Sequence, residues 1–154
     1  MSLNLYTPIL RTIYHTKVLD TEFLNHLIEL NSSLYYSPSL LNKDLRTYTL
    51  SLGRRAGATY AIKEFIDTNP SLNYVYISLS EQLMSSGVNN PNVLKVSTMD
   101  TLRHLDFTNV DIVFFDNYSY LKDTDKLKGV DEFMYNNLNV RSLRKPSQIY
   151  IRLN

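Results

Sequence analysis

The sequence predicts an α/β domain: a mostly parallel sheet of five strands with helices on both faces, preceded by an N-terminal helical segment. Three observations lead there. From residue 45 onward, short runs rich in β-branched and aromatic residues alternate with runs whose apolar residues recur at helical spacing. Helical crossovers are the favoured way to join parallel strands, so this alternation points to a parallel sheet. One strand candidate, "VDIVFFD" at 110–116, is apolar almost throughout, as a strand covered on both faces is. The two segments that carry recognisable chemistry both fall at the carboxyl ends of strands, where ligands bind in such sheets.

The elements follow in order. Residues 1–18 mix β-branched and aromatic side chains and read ambiguously. A helix is expected over 21–31, with Asp20 as its cap, Glu22 in the first turn, and Phe23, Leu27 and Leu30 on one face beside Leu24 and Ile28. The stretch 31–44 reads as a loop punctuated by Pro38. Then come a strand at 47–52, a helix at 57–67 with Ala61, Ile62, Phe65 and Ile66 on its apolar face, and a strand at 73–80. A short helix at 81–86 is followed by a strand at 92–97 and a second short helix at 99–105, capped by Thr98. The buried strand 110–116 precedes a helix within 124–139, weakened by Gly129, and a last strand at 147–153. Residues 1–44 thus form an extension with one helix, packed as one globular unit with a domain over 45–154.

Composition narrows the chemistry. The chain has 154 residues, 44% hydrophobic and 20% charged, enough for one domain with its own core. It lacks cysteine, which removes disulfides, cysteine-ligated metals and thiol catalysis. Its three histidines, His15, His26 and His104, stand in no metal-ligand spacing, so no histidine-based metal site is expected. No apolar run reaches the roughly 18–20 residues that span a bilayer, and the N-terminus lacks a signal-peptide pattern. A cytoplasmic location follows as the expectation. Net charge is +1, so only a local basic patch would argue for nucleic acid. Abundant tyrosine and asparagine suit an AT-rich genome, such as many phages have.

Two motifs carry the functional argument. The first is Gly53-Arg54-Arg55-Ala56-Gly57-Ala58-Thr59, a glycine-bracketed turn between a strand and a helix. Such a turn curls tightly and points backbone N–H groups inward, and the helix adds its positive end, which together cradle phosphate. A hydroxyl just after the loop, here Thr59, is placed to ligate Mg²⁺. A plain strand–helix turn has the same outline. The second motif is the strand ending in Asp116, followed by Asn117. A carboxylate at that edge can hold a Mg²⁺-bound water beside a phosphate, although an Asp-Asn turn after a strand is also common.

Together these motifs resemble those of the P-loop NTPases, in particular the helicases and phage terminase large subunits. "GRRAGAT" is similar to a Walker A loop of the type Arg-x-x-Gly-Lys-Thr, with Arg54 at the loop arginine, Gly57 at the second glycine and Thr59 at the Mg²⁺ hydroxyl. "DIVFFD" is similar to a Walker B strand, with Asp116 as the metal-associated acid. "VSTMDTLRHL" at 96–105 resembles the helicase segment in which a strand ends in Ser/Thr and a short helix follows. The resemblance covers about 45–154 and implies a RecA-like fold, ATP and Mg²⁺ as ligands, and nucleic acid or a viral protein complex as partner, in the host cytoplasm if the protein is viral. A motor built on one such lobe takes its arginine finger and partner lobe from elsewhere.

Two departures alter what the resemblance implies. Ala58 stands where the P-loop lysine belongs, and Asn117 where the water-polarising glutamate follows the Walker B acid. Asparagine can orient a water but cannot take its proton. Arg54 or Arg55 is suited to replace the lysine, since a guanidinium matches phosphate geometry. The expectation is therefore a reduced P-loop domain with weak or lost ATP hydrolysis, acting on nucleic acid or a nucleoprotein complex. The alternatives are a non-catalytic interaction scaffold and a weak ATPase that relies on Arg54 or Arg55. Candidate nucleic-acid contacts are Arg141, Arg144, Lys145 and Arg152, with Lys122, Lys126 and Lys128 nearby and Tyr118, Tyr120 and Tyr150 interleaved for base stacking.

Overall fold

The computed structural model describes residues 5–18, 21–31, 43–51, 57–79, 90–121, 123–140 and 144–154. Its centre is a sheet of five strands: β1 (Thr47–Leu50), β2 (Tyr74–Ile77), β3 (Val93–Val96), β4 (Ile112–Asp116) and β5 (Ile149–Leu153). Their order is β1-β5-β4-β2-β3, and every pairing is parallel. The expected α/β class and parallel sheet are therefore present. The expected helix at 81–86 and most of the 31–44 loop lie outside the described residues.

Helices α1 (Tyr6–Ile13) and α3 (Ala58–Thr68) cover one face. Strand residues of one parity, Tyr74, Tyr76, Ile112, Phe114, Ile149 and Ile151, meet Ile62, Phe65 and Ile66 of α3 there. Phe65 packs edge-on against Tyr74 and Phe114, whose rings stack on each other. The opposite parity, Val75, Ile77, Val113, Phe115 and Tyr150, faces helices α4 (Met99–Arg103), α5 (Tyr118–Leu121) and α6 (Val130–Asn139). β4 has both neighbours and both covering layers, which is why all five of its residues are buried.

The N-terminal segment is part of the same core. Tyr6, Leu10 and Ile13 of α1 are buried against the α3 face. Thr7 Oγ1 donates to Glu64 Oε2 at 3.1 Å, and Tyr6 OH donates to the Asn154 carbonyl at 2.6 Å. A π-helical stretch, Tyr14–Val18, follows α1, and α2 (Thr21–Asn31) occupies the expected helix. In α2 Leu24 is buried, Leu27 and Ile28 are half-buried, and Phe23 and Leu30 are exposed.

The remaining local structure follows from caps and turns. Thr98 caps α4 as expected, its hydroxyl accepting from the Thr101 N–H. Gly129 holds φ +84°, a left-handed conformation that suits glycine, and separates a 3-10 turn at Asp125–Leu127 from α6. Among the described residues no helix is long and apolar enough to cross a membrane.

Candidate nucleotide site

The chain leaves β1 into α3 on one face of the sheet and leaves β4 into α5 and α6 on the other. β5 lies between β1 and β4. The exits diverge around the carboxyl end of β5, the kind of position where parallel sheets bind ligands. Leu50 and Asp116 both pair with Leu153, so the ends of β1 and β4 stand level, about 10 Å apart across one intervening strand.

Gly57 opens α3 with φ +86° and ψ +32°, and its carbonyl accepts from the Ala61 N–H at 2.9 Å. A Cβ is disfavoured in that left-handed conformation, so the second glycine of the motif has a backbone reason. Among the described residues no side chain caps the N-terminus of α3, an eleven-residue helix whose first turn holds no acid, and a helix start of this kind favours an anion. Ala58 packs against the hydrophobic cluster, so the position matching the P-loop lysine is part of an apolar wall. Gly53, Arg54, Arg55 and Ala56 lie outside the described residues.

Thr59 and Asp116 meet. Thr59 Oγ1 donates to Asp116 Oδ2 at 2.7 Å, joining the two motifs over the end of β5. Asp116 is 4% exposed. A second hydroxyl, that of Tyr76, donates to the same Oδ2. Tyr76 is buried in β2, and its register partner Phe114 lies two residues before Asp116, on the same sheet face. Burial, then the Asp116 charge and hydrogen bond, raise the Tyr76 hydroxyl above the ordinary tyrosine range, with a smaller opposing effect from a hydrogen bond with Ser78. Tyr76 thus stays a proton donor.

Asn117 is exposed and holds φ +56°. Asparagine is among the few non-glycine residues that adopt this left-handed conformation readily. The turn therefore supplies a reason of its own for asparagine where a glutamate was the comparison. The Asn117 carbonyl accepts from the N–H groups of Tyr120 and Leu121, both at 3.1 Å, and starts α5. Asn154, at the end of β5, links the walls: its N–H donates to the Leu50 carbonyl at 3.0 Å, and its Oδ1 accepts from Ser119 N–H and Oγ at 2.8 and 2.7 Å.

Among the described residues no group of three His, Asp or Glu side chains forms a metal site. Thr59 and Asp116 offer one hydroxyl and one carboxylate, which suits an ion that arrives with nucleotide phosphates and keeps several waters. The residues present fit that use.

Of the candidate nucleic-acid residues that the structure describes, Arg152 and Lys145 stand at opposite ends of the sheet. Arg152 is buried on the α6 face, where its Nη2 donates to Asp131 at 3.0 Å and to Tyr135 OH at 2.7 Å. Its guanidinium lies 4.5 Å from the Tyr118 ring centre. Lys145 pairs with Asp111 at 3.0 Å, at the amino edge of the sheet. Arg144 Nε donates to the Leu138 carbonyl at 2.7 Å. Arg141 and Lys122 lie outside the described residues. Tyr118 and Tyr150 are buried, and Tyr120 is exposed.

Sequence reasoning missed Tyr76 in the site. Its position in a strand reads as core, and it is core; only the register shows its hydroxyl beside Asp116. No protein-family model, curated protein or solved structure matches the chain.

Proposed function

We propose that this chain is a reduced, RecA-like P-loop domain that binds nucleotide at the β1–α3 turn and hydrolyses it weakly or not at all. The observation that carries the reading is the 2.7 Å hydrogen bond from Thr59 to Asp116. In a P-loop NTPase the P-loop hydroxyl and the Walker B acid share one Mg²⁺ site, and these are the two residues the resemblance assigns to it. The acid-free first turn of α3 and the left-handed Gly57 at its start support a phosphate at the same place.

In this reading the α3 N-terminus binds phosphate through its backbone, and Thr59 and Asp116 orient the cation that accompanies it. Mg²⁺, when bound, offsets phosphate charge. Arg54 or Arg55 supplies the cationic side chain that Ala58 does not. Weak turnover is supported by Ala58 and by the exposed, left-handed Asn117, which has no basic group to take a proton from water.

Action on nucleic acid or a nucleoprotein complex, in a viral setting, rests on the resemblance to helicases and terminases. Arg152 and Lys145 each pair with a carboxylate of the chain itself, Arg152 with Asp131 and the partly exposed Lys145 with Asp111. A scaffold without nucleotide is the second reading, favoured by the packing of Ala58 into the apolar wall.

Titration calorimetry with ATP or ADP and Mg²⁺ tests the proposal. Saturable binding that weakens in Asp116→Asn and in at least one of Arg54→Ala and Arg55→Ala is expected. No binding at millimolar nucleotide would leave the scaffold.

A further inference from the structure

The geometry points to Tyr76 as the residue that sets cation preference at the Thr59–Asp116 pair, by closing one carboxylate oxygen of Asp116. The inference rests on the nucleotide-binding reading and adds a selectivity determinant to it.

A carboxylate offers two oxygens with about two lone-pair positions each. Thr59 and Tyr76 both donate to Oδ2, which occupies that oxygen. Oδ1 accepts no hydrogen bond among the described residues.

The two hydroxyls differ in freedom. Thr59 stands half-buried in the first turn of α3, where its hydroxyl can turn. Tyr76 is 1% exposed in a strand flanked by β3 and β4, with its ring in the core. Leaving Oδ2 would cost this buried O–H its charge-assisted bond, whereas Thr59 can turn to solvent. Asp116 is therefore held to a single-oxygen contact, direct or through water, by way of Oδ1.

That restriction separates divalent cations. Ca²⁺ takes six to eight oxygens and often engages a carboxylate through both of them. Mg²⁺ demands a compact octahedron, binds through single oxygens and keeps its waters. A carboxylate with Oδ2 closed suits Mg²⁺, whereas one with both oxygens open also serves Ca²⁺. Tyr76→Phe keeps the ring and removes the hydroxyl, so it opens Oδ2 with little change in shape.

The test is calorimetric titration of the whole chain with ATP in saturating Mg²⁺ and, separately, Ca²⁺, for wild type and Tyr76→Phe. The expected result is a rise of about tenfold in the Ca²⁺-to-Mg²⁺ affinity ratio in the variant. Substitution by 4-fluorophenylalanine, which keeps the ring, fills the hydroxyl's place and cannot donate, gives the same reading if the phenylalanine variant fails to fold. Substitution by 4-aminophenylalanine, which keeps a donor, returns the wild-type ratio. A purely structural role lowers both affinities together; an unchanged ratio with binding intact overturns the role of Tyr76 and leaves the nucleotide site standing. No binding with either cation in any of the proteins overturns both.

Discussion

Thr59 and Asp116, which belong to two motifs 57 residues apart, are joined by one hydrogen bond of 2.7 Å across the end of β5. Their meeting depends on sheet order. β5 is last in sequence yet lies between β1 and β4, and its width is what the first turn of α3 spans. Thr59→Val keeps the shape and removes the hydroxyl. It is expected to lower stability by about 1 kcal/mol in urea unfolding and to weaken ATP binding in Mg²⁺ more than in EDTA.

Gly57 tests the backbone of the same turn. At φ +86° any side chain is strained. Gly57→Ala is expected to cost about 1–3 kcal/mol in urea unfolding and to weaken nucleotide binding by displacing the start of α3. Full stability in that variant would mean that the turn has another accessible conformation.

Arg152 tests the reassignment of a supposed surface cation. Its side chain is 9% exposed and pairs with Asp131 at 3.0 Å, while its Nε has no partner among the described residues. Removing one member of a buried pair leaves the other uncompensated. Arg152→Ala is expected to cost about 3 kcal/mol in thermal or urea unfolding, the low end for such pairs because Asp131 is partly exposed. Loss of nucleic-acid affinity without loss of stability would restore the surface reading.

The tyrosines predict an alkaline limit. Burial raises Tyr74, Tyr76, Tyr118 and Tyr150 above their ordinary value, and Tyr48 to about 12. These groups keep their protons in the folded chain after the unfolded chain loses them near pH ~10. Above that pH the unfolded state binds fewer protons, so stability is full below about pH 10 and falls as pH rises further. Phenolate absorbance from Tyr74, Tyr76, Tyr118 and Tyr150 is expected to appear only as the chain unfolds. A single early step for all tyrosines would contradict the buried hydrogen-bonded placement.

The sheet was legible because strand signals are local. The apolar run ending in Asp116 announced a doubly covered strand, and β4 is one. The α3 face was legible too, since Ala61, Ile62, Phe65 and Ile66 are all buried. Helix α1 was not. Tyr6, Leu10 and Ile13 do lie on one face, but Thr7, Ile9 and Thr12 between them blur helix and strand propensity. In the site, Thr59 and Asp116 were legible through their spacing from glycine and strand. Tyr76 and the burial of Arg152 were not, because each depends on a partner fixed only by register or by α6.

ATP titration of wild type and Asp116→Asn in Mg²⁺ tests the nucleotide site proposed between α3 and β4. Saturable one-to-one binding by the wild type and at least about tenfold weaker binding by the variant are expected, with both folded by circular dichroism. No heat of binding at millimolar ATP in the folded wild type, or equal affinity in the two proteins, would contradict it.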